Sequence, residues 1–198
     1  MAAASIIEHT LRPDGHFPTK EDISLYLFEK NSSLGAKVII SGGGRCNVTT
    51  GYYRRKDLES KYIRGSERVR EAIGQFGPRK IYQWFESHGV ALKTEKDMRV
   101  FPQSDNGKDI VGVFEQLFSP KACHSEVSKS PVIKSQSYAN IHLKLSTGID
   151  SIKRQDNIFV LTSGTSEWRC DAVIIATGGQ AYRQTGSTGD AYDRAQSL

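Results

Sequence analysis

Ile39-Ile-Ser-Gly-Gly-Gly-Arg-Cys-Asn-Val-Thr49 is the stretch on which the fold turns. The apolar run Lys37 to Ile40 enters three consecutive glycines, an order that reads as the end of a strand presenting bare backbone N–H groups. Such a loop lets a ligand approach closely and donates hydrogen bonds to anionic oxygens. Arg45 adds a permanent, fork-shaped charge, while Ser41, Asn47 and Thr49 add neutral hydrogen-bonding groups. A phosphate- or diphosphate-bearing ligand fits this chemistry. Three glycines alone would as readily make a plain turn, and the polar group behind them tilts the reading towards a site.

Upstream, Thr10 to Glu21 carries Pro13, Gly15 and Pro18 and reads as a loop. Ile23 to Phe28 is β-branched and aromatic, reads as a buried strand, and ends at Glu29. Downstream, Val69, Ile73 and Phe76 recur at helical spacing before Gly77, and Pro78 opens a second helix carrying Ile81, Trp84 and Phe85 that ends near Gly89. Val90 to Leu92 and Arg99 to Phe101 read as short strands around a polar turn; Ile110, Val113, Phe114 and Leu117 mark another helix. The Ser- and Lys-rich segment 121–139 reads as a surface insertion. Strands are expected at Ile141 to Leu145, Gly148 to Ile152 and Ile158 to Leu161. A further strand is expected from Trp168 through Val173 to Ala176, entering Thr177-Gly-Gly179. Helices interleaved with buried strands predict an α/β sheet with an antiparallel β excursion.

The chain has 198 residues, 37% of them hydrophobic and 25% charged. No apolar run approaches the ~18 residues that span a bilayer, so a membrane partner is not expected. The N-terminal residues show neither a basic n-region nor a long apolar h-region, and no secretory signal is visible. Three cysteines, none in a CxxC or CxxH arrangement, argue against a structural zinc or disulfide frame, and no metal site is expected. A reducing compartment follows as the default, the cytoplasm first and an organelle left open. The net charge of +5 is uneven, with ten Lys/Arg against four Asp/Glu between Arg45 and Lys80. Nucleic acid, an acidic partner or a phosphorylated ligand could meet such a stretch. A solvated helical face is the plainer reading, and nucleic acid is the less favoured partner, because the stretch matches no RRM, KH or zinc-finger pattern.

Three further features bear on chemistry. Ala176-Thr-Gly-Gly179 would lie beyond the carboxyl end of a strand, where open α/β sheets bind ligands. Glu29, at the end of its strand, has the character of the acid that accepts hydrogen bonds from ribose hydroxyls in a dinucleotide fold. That acid normally follows a G-x-G-x-x-G turn by ~20 residues, and none precedes it here. Cys46, between Arg45 and Asn47, is first a packing or loop residue and only second a redox thiol, because no other cysteine is near in sequence. The five histidines fall in unrelated contexts, and no zinc-protease, nucleophile-elbow or P-loop motif occurs.

Together, Phe28-Glu-Lys30, Gly35 to Thr49, Arg99-Val-Phe-Pro102, Ala176-Thr-Gly-Gly179 and Gly186-Ser-Thr-Gly-Asp190 resemble the BaiN-like, or HI0933-like, NAD(P)/FAD-dependent oxidoreductases. The resemblance implies a Rossmann-like FAD domain of the two-dinucleotide-binding type, interrupted by an inserted domain. It implies that Glu29 holds the adenosine ribose with Lys30 beside it, and that Gly42, Gly43, Gly44, Asn47 and Thr49 lie along the FAD, with Ser41 and Arg45 of the same loop as further cofactor-binding candidates. Ile149 would meet the adenine through its backbone, and Ala176, Thr177, Gly178 and Gly179 would pass close to the cofactor. NAD(P)H is implied as electron donor and a small molecule as substrate, with no catalytic residue identified. Arg183 and Ala191 depart from the family's usual Pro and Gly. The first βα phosphate turn, the inserted domain and the C-terminal return are not found in residues 1–198, so an incomplete domain that holds FAD weakly by itself is expected. The alternatives are a truncated, inactive fragment and a basic, non-enzymatic module for nucleic acid or another partner.

Overall fold

A computed structural model describes residues 24–118 and 141–196. The expected surface insertion at 121–139 lies outside the described residues, as does the loop at 10–21. The chain divides into two compact units, one holding the described residues up to Ala36 and those from 141 onward, the other holding Lys37 to residue 118.

In the first unit, strand β1 (Leu25–Phe28) pairs in parallel with β5 (Ile141–Lys144), in the register Leu25↔Ile141 to Phe28↔Lys144. The two strands lie far apart in sequence because the whole second unit intervenes; parallel neighbours need such a crossover. Strands β6 (Ser151–Gln155), β7 (Ile158–Ser163) and β8 (Ser166–Cys170) form an antiparallel meander. Their buried residues are Ile152, Val160 and Leu161, and the Phe28 ring meets Trp168 edge-on at 4.8 Å, tying β1 to β8. A short 3-10 turn (Arg183–Thr185) precedes a helix at Asp190–Gln196.

The second unit begins within α1 (Ala36–Ile40), which runs into a 3-10 turn at Ser41–Gly44. It continues through β2 (Thr49–Thr50), α2 (Arg55–Glu59), α3 (Ser66–Phe76), α4 (Pro78–Ser87), β3 (Leu92–Thr94), β4 (Arg99–Pro102) and α5 (Gly107–Leu117). β4 is the central strand of an antiparallel sheet in the order β2-β4-β3. Its Val100 and Phe101 are fully buried, and Val100 packs with Phe85, Leu92, Ile110 and Val113 in one core. Pro78 at the start of α4 lacks only an N–H that a first turn leaves unpaired anyway. Asn106 caps α5, its side chain accepting from the Lys108 N–H at 3.1 Å.

This is an α/β protein with a parallel pair and antiparallel excursions, as the sequence predicts. Two strands differ from expectation. Lys37 to Ile40 is helical, because the run curls into the Ser41 turn, where the hydroxyl donates to the Val38 carbonyl at 2.8 Å. The strand expected through Val173 to Ala176 stops at Cys170. Residues 173–176 still alternate half-buried and exposed, with Ile174 half exposed, but find no ladder partner among the described residues. The other expected strands at Val90 to Leu92 and Gly148 to Ile152 occur two or three residues further along.

Candidate functional site

Ser41 to Thr49 in the second unit forms one closed structure. Gly42, Gly43 and Gly44 all adopt left-handed backbone, at φ of 57°, 70° and 89°. Only glycine visits that region without steric cost, so three in succession fit a turn that other residues would strain. The Ser41 carbonyl accepts from the N–H groups of Arg45 and Cys46, the latter at 3.0 Å, which closes the turn. A Cβ on Gly42 would lie 3.0 Å from both the Asn47 nitrogen and a Phe101 ring carbon, whereas one on Gly43 would meet nothing within 4 Å. Gly42 is therefore packed inward and Gly43 faces open space. Gly107, the first residue of α5, comes equally close: its Cβ would stand 3.1 Å from the Gly44 carbonyl oxygen.

The polar residues behind the glycines are mostly occupied with the fold. Asn47 Oδ1 accepts from the Val100 N–H at 3.2 Å, and Thr49 pairs with Val100 in the sheet. Arg45 Nη1 donates to Glu95 Oε1 at 2.6 Å and lies 3.5 Å from Asp105 Oδ1. Its guanidinium also rests over the Phe101 ring, 3.9 Å from the centroid. Glu95 first, then Asp105, favours the charged guanidinium. The charge expected to face a diphosphate is thus held between two carboxylates. Cys46 is buried, and burial pushes its thiol pKa up, the opposite of an activated nucleophile. It is a packing residue.

The first unit gathers Glu29, Lys30 and Ile149. Glu29 follows β1 directly, with its N–H donating to Lys144 O at 2.9 Å and its carbonyl accepting from Thr147 N at 2.9 Å. Glu29 Oε1 accepts from the Asn31 N–H at 2.8 Å, which fixes the carboxylate at the strand end. The second carboxylate oxygen has no partner among the described residues. The Lys30 stem packs where a Cβ on Gly148 would stand 3.5 Å away, and its ammonium lies 3.9 Å from Asp190 Oδ2. Ile149 follows Gly148, and no backbone hydrogen bond engages it among the described residues. A shallow concavity of about 340 Å³ is lined by Asp150, Ser151, Asp190, Asp193 and Arg194. Three carboxylates against one guanidinium suit hydroxyl donors better than phosphates.

Asp190 is the hub of this region. The Thr188 hydroxyl bonds its Oδ1, and Arg194 and Lys30 approach its Oδ2. The Thr188 hydrogen bond first, and then the two cations, hold its carboxyl below the usual carboxylate range. Gly186, at φ 92°, lies against the Asn31 amide, which donates to Thr185 O at 3.1 Å. Asn31 is a residue that sequence reasoning missed, although it follows Glu29-Lys30 immediately. Ala176, Thr177 and Gly178 are exposed, and Gly179 lies beside the Tyr192 hydroxyl. The candidate residues are therefore divided between the units, Glu29, Lys30, Ile149 and Ala176 to Gly179 in one and Ser41 to Thr49 in the other.

Comparison with known proteins identifies the family. The family described as HI0933-like protein Rossmann domain matches residues 17–198. A 3-dehydro-bile acid delta(4,6)-reductase of Clostridium scindens is 25% identical over 179 residues, covering 89% of this chain and 38% of that protein. A ribosomal RNA dihydrouridine synthase of Haemophilus influenzae is 22% identical over 175 residues, covering 87% of this chain and 39% of that protein. The chain thus spans less than two fifths of the length of these relatives. With the parallel strand pair, the strand-end acid and a family match over nearly its whole length, the chain belongs to the HI0933-like Rossmann-domain family.

Proposed function

We propose that this chain is the FAD-binding part of a flavin-dependent oxidoreductase that takes electrons from NADH or NADPH, in the cytoplasm. Glu29 carries the reading. It stands at the carboxyl end of a parallel strand with one oxygen committed to its own turn and the other without a partner among the described residues. That is the geometry a ribose diol requires of an acid in a dinucleotide fold. No helix among the described residues is long and apolar enough to cross a membrane.

FAD fits the residues present, with one revision. Glu29 would hold the adenosine ribose and Lys30 would flank it, while the unengaged backbone of Ile149 supplies a donor and an acceptor for adenine. Exposed Ala176 to Gly178, with Gly179, leaves room for close approach of a flat group. The Gly42–Gly44 turn, open at Gly43, would meet the cofactor through backbone, with Ser41, Asn47 and Thr49 holding that turn in shape. Arg45 does not fit as a phosphate ligand, because Glu95 and Asp105 already hold it. When bound, FAD supplies the hydride-transfer chemistry, and the protein supplies orientation and electrostatics.

The substrate is a small molecule on the first reading, in line with the bile-acid reductase of Clostridium scindens. An RNA base is the second, in line with the Haemophilus influenzae relative and favoured by the cation surplus between Arg45 and Lys80. Titration of the chain with FAD, followed by flavin fluorescence, tests the cofactor reading. Saturable binding displaced by ADP is expected; no binding, or binding that ADP leaves untouched, overturns it.

A further inference from the structure

The stretch from Arg45 to Lys80 carries ten cations against four carboxylates, and the structure separates nine of them into two groups. Arg45, Arg54 and Arg70 are held by Glu95, Asp57 and Glu59 respectively. Arg55, Lys56, Lys61, Arg64, Arg79 and Lys80 are exposed and meet no carboxylate within salt-bridge distance among the described residues. Two of these six lie over aromatic rings instead, Lys61 over Tyr52 at 4.9 Å and Arg79 over Tyr53 at 5.2 Å. Tyr52 and Tyr53 are adjacent, so these contacts bring the segment before α3 and the first turn of α4 to the same strip of surface. α3 packs on both α2 and α4, so the helices that carry Arg55, Lys56 and Lys80 adjoin one another.

Apolar and aromatic groups are exposed along the same segment. Tyr62 is 46% exposed, Tyr53 is 40% exposed and Ile63 is almost wholly exposed. A solvated helical face has no need of such residues. An acidic peptide would use the cations but leave the rings idle. Positive charge interleaved with rings that can stack is the pattern that holds a single strand of nucleic acid, phosphates on the cations and bases on the rings.

We infer that the α2–α4 surface is a binding face for single-stranded RNA, with Tyr53 and Tyr62 as stacking platforms and the six cations that meet no carboxylate as phosphate contacts. The inference rests on the RNA reading of the substrate and is independent of the cofactor. It takes sequence-tolerant, salt-sensitive binding as its signature, since neither rings nor cations read base edges.

The test is fluorescence anisotropy of the 198-residue chain with a labelled 12-nucleotide RNA across a salt series. Binding at low salt is expected, with log K falling against log salt at a slope of roughly −3 to −4 if four to six phosphates are engaged. Lys61→Glu with Arg64→Glu, both on an exposed turn, should weaken it more than tenfold with the melting temperature and FAD titration unchanged. Tyr62→Ala should weaken it about tenfold through lost stacking. Absence of RNA binding at low salt, unchanged affinity in these variants, or equal or tighter binding of polyglutamate overturns the inference. Because FAD binding is read on the same samples, failure of the RNA face is distinguishable from failure of the cofactor reading.

Discussion

Arg45 and Glu95, 50 residues apart, meet at 2.6 Å, and this contact decides what the glycine turn can offer a ligand. With Phe101 beneath the guanidinium and Asp105 beside it, Arg45 pins the turn to the β3–β4 hairpin. Arg45→Ala should lower the melting temperature while changing FAD affinity by less than about threefold. Glu95→Ala combined with Asp105→Ala should release the guanidinium, tighten FAD binding and make it more salt-sensitive, as a newly available phosphate contact would. Loss of all FAD binding in Arg45→Ala at unchanged stability would return Arg45 to the ligand.

Gly42 and Gly43 are neighbours with opposite surroundings, and substitution separates them. Gly42→Ala drives a Cβ to 3.0 Å from Phe101, a fully buried ring, at a φ of 57°. A cost of about 2 kcal/mol or more is expected, read as a drop in melting temperature of roughly 4–8 °C. Gly43→Asp has room, so it should fold with a smaller loss yet abolish FAD binding by setting a carboxylate against the diphosphate. Gly43→Asn keeps the shape without the charge and should bind FAD better than Gly43→Asp.

Gly186 and Asn31 form a second test of packing. A Cβ at Gly186 would stand 2.8 Å from the Asn31 amide nitrogen, at a φ of 92°. Gly186→Ala should destabilise the protein by displacing the amide from Thr185 O as well as through backbone strain. Adding Asn31→Ala should relieve the collision, so the double variant is more stable than the sum of the two single losses, as measured by urea unfolding.

Acid should weaken the second unit in a defined window. Lys93 first holds the Asp105 carboxyl below the usual carboxylate range, and the Arg99 N–H does the same for Asp97. A depressed folded pKa contributes stability that is complete above the ordinary Asp value, about 3.9, and is lost as pH falls through the folded value. The urea midpoint should therefore fall below about pH 4, and fall less steeply when Asp97→Asn and Asp105→Asn are combined. An equally steep fall in that variant would place the acid sensitivity elsewhere.

Much of the fold was legible because local signals and tertiary packing agree. Gly77 and Pro78 mark the junction of α3 and α4, and the spacing of Ile110, Val113 and Phe114 gives α5. Lys37 to Ile40 was misread because a four-residue apolar run has no period of its own, and the Ser41 turn decides its conformation. Val173 to Ala176 has strand composition, but composition cannot supply a ladder partner. At the candidate site, Glu29 is visible from its place after an apolar run. The occupation of Arg45 is not, because Glu95 and Asp105 arrive from a hairpin and a loop far along the chain.

The central claim is that Glu29 receives the ribose of FAD. Parallel titrations of the native chain and Glu29→Gln with FAD and with FMN, which lacks that ribose, test it most directly. The account predicts that Glu29→Gln weakens FAD at least tenfold and leaves FMN unchanged. Equal FAD affinity in the two proteins, or equal losses for FAD and FMN, would contradict it.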